Sequence, residues 1–64
     1  MTTWYLDCFC YSADREFPVN TYYSSNLSKL AKEAASILSK EISGIDEIRI
    51  STETKGLCPM SLDA

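Results

Sequence analysis

The sequence predicts a two-layer α+β domain of order β-β-α-β, with a three-stranded sheet and one helix packed on one of its faces. Three observations carry this. Residues 26–43, NLSKLAKEAASILSKEIS, are the only segment with a clear helical period. Two aromatic-rich stretches precede it, joined by a short polar link, and an alternating apolar and charged stretch follows it. One helix and three strands can bury their apolar sides only against each other, which gives two layers. Sixty-four residues form one domain, spanning positions 1–64. A chain of this size buries only about 60% of its unfolded surface, so every packed side chain matters.

Residues 2–11 read as the first strand, because aromatic and thiol side chains dominate and no helical period is present. Alternation separates Trp4, Leu6, Cys8 and Cys10 from Tyr5, Asp7, Phe9 and Tyr11. Asp7 is the only charge in the stretch, which turns its row away from the helix. Both rows are largely apolar, as expected of a central strand whose outer face is also partly covered. Ser12, Ala13, Asp14 and Arg15 are a polar hairpin link, and residues 16–23 are the second strand. There Phe17, Val19, Thr21 and Tyr23 alternate against Pro18, Asn20 and Tyr22, and Pro18 makes this an edge strand because it lacks an N–H.

In the helix, Leu27, Leu30, Ala31, Ala34, Ala35, Ile37, Leu38 and Ile42 fall on one half of the circumference, with Leu30, Ala34 and Leu38 expected to be the most buried. Ser24, Ser25 and Asn26 are N-cap candidates, and Gly44 is a C′ candidate. Residues 45–54 form the third strand, with Ile48, Ile50 and Thr52 inward and Glu47, Arg49, Ser51 and Glu53 outward. The first strand is the most apolar and the second carries proline, so the expected order is 2-1-3 with the first strand central. The third strand then runs antiparallel to the first. Residues 55–64 contain Gly56 and Pro59 and read as an irregular tail.

The composition weighs against catalysis. There is no histidine, so the commonest base near neutral pH is missing. The nine carboxylates form no motif, and the two glycines are isolated, so no phosphate-cradling loop exists. No cofactor is implied. The cysteines Cys8, Cys10 and Cys58 are odd in number, and without histidine or a C-x-x-C pair they point to free thiols rather than a metal site. A net charge of −3 disfavours nucleic acid and anionic lipid as partners. No apolar run is long enough to cross a membrane, and the first residues lack a secretion-signal layout, so the expectation is a cytoplasmic protein.

The sheet face opposite the helix is the most informative feature. Tyr5, Phe9, Tyr11 and Tyr22 are expected to converge there beside Arg49, and exposed aromatic patches usually mark contacts. The expected function is that of a small interaction module, a regulator or inhibitor acting through this face or an edge strand on a protein partner or a second copy. The alternative is a nucleic-acid-binding module that stacks bases on the same rings. A third arrangement folds Leu57, Met60 and Leu62 of the tail back over the face.

Overall fold

A computed structural model describes residues 2–40 and 44–63. The elements are β1 (Trp4–Phe9), β2 (Asn20–Ser24), α1 (Leu27–Leu38), β3 (Glu47–Ser51) and β4 (Met60–Ser61). They form one sheet of order β3-β1-β2-β4 with the helix on one side. β1 is central and antiparallel to both β2 and β3, as the apolar character of its two rows requires. The fourth strand is a correction. β4 pairs in parallel with β2, so β2 is not an edge strand and the tail is not irregular throughout.

The link between β1 and β2 is longer than the expected hairpin, for a local chemical reason. The Cys10 carbonyl accepts from the N–H groups of Ala13 and Asp14, closing a turn. The Asp14 carboxylate then accepts from the N–H groups of Glu16 and Phe17 at 2.7 and 3.1 Å. The Glu16 and Phe17 amides are thus satisfied within the turn and not by a ladder, the Val19 N–H reaches the Cys8 carbonyl, and β2 starts at Asn20, beyond Pro18.

Cross-strand neighbours share a face. Leu6 lies opposite Tyr22 and Ile50, and Cys8 lies opposite Ile48. These side chains pack with Leu30 and Ile37 of α1 into the core, which Trp4, Ala34, Ile45 and Leu62 extend. Asn26 caps α1 by accepting from the Ser28 N–H at 3.0 Å, as its side chain suits.

The helix departs from expectation at its other end. It stops at Leu38, where the Lys40 N–H bonds to the Ile37 carbonyl and tightens the last turn. Ser39, not a residue next to Gly44, is the C-cap of α1, and the φ of +72° at Gly44 suits glycine in the connection to β3. The expectations for Glu41, Ile42 and Ser43 lie outside the described residues. Leu38 is 68% exposed, and Ile37 takes the buried place that Leu38 was expected to hold. A short helix on a sheet buries a narrow stripe, here Leu30, Ala34 and Ile37, and leaves the flanking row of Leu27, Ala31, Ala35 and Leu38 outside.

The chain end is tied down from both sides of β2. The Leu62 N–H donates to the Tyr23 carbonyl. The buried Ser24 hydroxyl donates to the Asp63 carboxylate at 2.8 Å, and the Lys29 ammonium lies 3.1 Å from the same oxygen.

Candidate functional site

Because β3 and β4 lie on opposite sides of the sheet, the chain between them has to cross it. It does so over the face opposite α1, and Asp7 of β1 is its anchor. Asp7 is fully buried. Its Oδ1 accepts from the Thr21 hydroxyl of β2 at 2.9 Å and from the Thr54 hydroxyl of the crossing segment. The Thr54 oxygen in turn accepts from the Gly56 N–H at 2.9 Å. Oδ2 has no hydrogen-bond partner among the described residues, and its charge faces the Arg49 guanidinium at 3.8 Å. A buried carboxylate is costly unless paired, and here two hydroxyls satisfy Oδ1 while Oδ2 meets only the charge of Arg49. Gly56 lies so close to the sheet that a Cβ there would sit 2.7 Å from the Thr21 Cβ.

The crossing segment divides the outer face into two clefts. The cleft on the β1–β3 side has a volume of about 400 Å³ and is lined by Phe9, Tyr11, Arg15, Glu16, Glu47, Arg49 and Lys55. Its charges are largely matched internally. Lys55 lies 3.6 Å from Glu16, and Arg49 faces Asp7. The Arg15 guanidinium sits 5.1 Å from the Tyr11 ring centre, and Arg49 sits 5.9 Å from that of Phe9. The hydrogen bond to the Glu47 carboxylate raises the Tyr11 hydroxyl above its usual pKa. The cleft on the β2–β4 side, about 330 Å³, is lined by Phe17, Pro18, Val19, Asn20, Thr21, Gly56, Leu57, Cys58 and Met60, none of them charged.

The structure brings Tyr5, Phe9, Tyr11 and Arg49 onto the outer face and puts Tyr22 on the other. Tyr22 packs with the helix-side core, opposite Leu6, and Tyr23 takes the outward place, with its ring 6.3 Å from that of Tyr5. The parity of β2 is set by Thr21, which turns outward to reach Asp7, and a one-residue change of parity exchanges the faces. The aromatic face is also not bare. Phe9 is only 6% exposed. Phe17 and Val19 were not anticipated at this face, and Leu57 and Met60 were expected there only as a cover; the four are 43%, 43%, 89% and 47% exposed around one cleft, while Leu62 packs with the helix-side core. Phe17 and Val19 had the alternation of an inward strand row. The contrary signal was Asp14, whose turn chemistry takes the Phe17 amide out of any ladder.

The three thiols are free and differ in environment. Burial, then the neighbouring Asp7 and Glu33 carboxylates, push Cys8 up to about 11. The Ser12 hydroxyl, 3.2 Å from its sulfur, leads the contacts that lower Cys10. Cys58 is exposed at the uncharged cleft. Among the described residues, no three histidine, cysteine or carboxylate side chains are grouped to hold a metal ion, and no helix is long and apolar enough to cross a membrane. In comparisons with family models, with curated proteins and with solved structures, nothing matches this chain.

Proposed function

We propose that this chain is a non-catalytic protein-interaction module that regulates or inhibits a partner by docking it on the outer sheet face. The observation that supports this most is the uncharged cleft. Four large apolar side chains, Phe17, Val19, Leu57 and Met60, stand exposed around it. Single exposed apolar residues are ordinary, but a cluster around a concavity marks a contact site. The occupant proposed is an apolar side chain of a protein partner, because the lining offers no cation to a phosphate and only Asn20 and Thr21 as polar side chains besides the thiol. Base stacking on Phe9 and Tyr11 has less support, since Phe9 is covered and Arg49 is held by Asp7. The odd cysteine count fits the reducing cytoplasm as its setting.

The test is retention from an extract of the source cells on immobilised wild-type chain, on Leu57→Ser with Met60→Ser, and on Lys32→Ala. A protein held equally by wild type and Lys32→Ala, and about tenfold less by the double variant, would support the reading. Retention indifferent to the double substitution, or abolished by ribonuclease, would contradict it.

A further inference from the structure

We propose that the free edge of β3 pairs antiparallel with β3 of a second copy, joining the two sheets into one continuous sheet about a twofold axis at Ile48. This goes beyond the partner-docking reading and does not rest on it. The two edges of the sheet are unlike. β4 is two residues long and follows Pro59 directly, a length and composition that discourage pairing. β3 has five residues, EIRIS, with no proline, lysine or glycine. Its backbone orientation follows from its neighbours. The Phe9 carbonyl accepts from Asp46 on the β3 side, whereas the Cys8 carbonyl accepts from Val19 on the β2 side. The odd residues of β1 therefore face β3, where their partners are Glu47, Arg49 and Ser51. Ile48 and Ile50 are left with their N–H and C=O groups directed to the outer edge, where no described strand pairs with them.

Charge pairing favours one register. A twofold axis normal to the sheet keeps the apolar row of both copies on the helix side, and only registers that pair residues of equal parity do this. Centring on Arg49 sets two guanidinium groups directly opposite each other, which is repulsive. Centring on Ile48 sets Glu47 of each copy opposite Arg49 of the other, with Ile48 against Ile48 on the core side. Both charged residues are exposed, although Arg49 already faces Asp7 and Glu47 accepts from the Tyr11 hydroxyl within its own copy. The helix packs over β1 and β2, so Ile48 and Ile50 are only partly buried in a single copy, and the pairing sets Ile48 of each copy against Ile48 and diagonal to Ile50 of the other. The joined sheet runs β4-β2-β1-β3-β3-β1-β2-β4, with the two uncharged clefts towards its opposite ends.

The test is sedimentation of the purified chain over a wide concentration range, with amide hydrogen exchange on the same samples. The expected result is a mass that doubles with concentration in the micromolar range, with exchange at Ile48 and Ile50 slowing in step. Glu47→Arg places like charges opposite each other and should shift the transition to higher concentration by at least about tenfold. Leu57→Ser should leave it unchanged. A single monomeric mass at every concentration would overturn the proposal. So would a dimer that leaves the Ile48 amide unprotected or that Leu57→Ser abolishes. The exchange readout needs no variant, so it decides the matter even if Glu47→Arg fails to fold.

Discussion

Asp7 explains more of this structure than any other residue. It fixes the parity of β2 through Thr21, draws the crossing segment down through Thr54, and holds Arg49 over the Phe9 ring. Asp7→Ala would leave two hydroxyls and a guanidinium without their acceptor, at a cost of about 1–3 kcal/mol, measurable by urea unfolding. Gly56→Ala should cost a similar ~1–3 kcal/mol, because the added carbon meets Thr21 and forces the segment away from the sheet. The thiols give a second check at this scale. With Cys8 pushed up to about 11 and buried, alkylation of the native protein at pH 8 should modify Cys10 and Cys58 but spare Cys8 until denaturant is added. The outward direction of Asp7 was legible in the sequence, because it is the lone charge in an apolar strand. Its burial was not, because the groups that cover it come from a segment 47 residues away with no periodic pattern.

At the scale of elements, the helix and the central strand were legible, and the flanks were not. Periodicity reports that a side chain lies on an apolar half, but not which row of that half the sheet covers. Ile37 and Leu38 share the apolar half of the wheel, about 100° apart, yet one is buried and the other is 68% exposed. Ile37→Ala should therefore cost about 2–5 kcal/mol, as for other buried aliphatic truncations, while Leu38→Ala should stay within about 0.5 kcal/mol. Equal losses in thermal unfolding would mean the helix is rotated on its sheet. β4 escaped sequence reading because two residues carry no alternation, and its place depends on hydrogen bonds of Tyr23 and Ser24 made late in the chain. The uncharged cleft was missed for a related reason, since it joins residues 17–21 to residues 56–60.

For the molecule as a whole, the shifted groups set a pH window for stability. Asp14, through the amides of Glu16 and Phe17, and Asp63, through Ser24 and Lys29, titrate below the ordinary 3.8. A depressed carboxyl binds protons less readily folded than unfolded, so its contribution is present above pH 4 and is lost as the pH falls further. Cys8, raised from 9.0 to about 11, and Tyr22, raised by burial, act in the opposite sense. Their contribution is complete below pH 9 and is lost as the pH climbs through their folded values. The melting temperature should thus be nearly level from about pH 5 to 8 and fall on both sides. None of these groups lines the cleft where an apolar partner would dock. The most direct test of the central claim is photo-crosslinking in source-cell extract, with a photoreactive residue in place of Leu57, which is 89% exposed at the cleft, or of Lys32 on the outer helix face. Docking at the cleft should give one defined protein adduct from position 57 and none of that mass from position 32. The same adducts from both positions, or none from position 57, would contradict it.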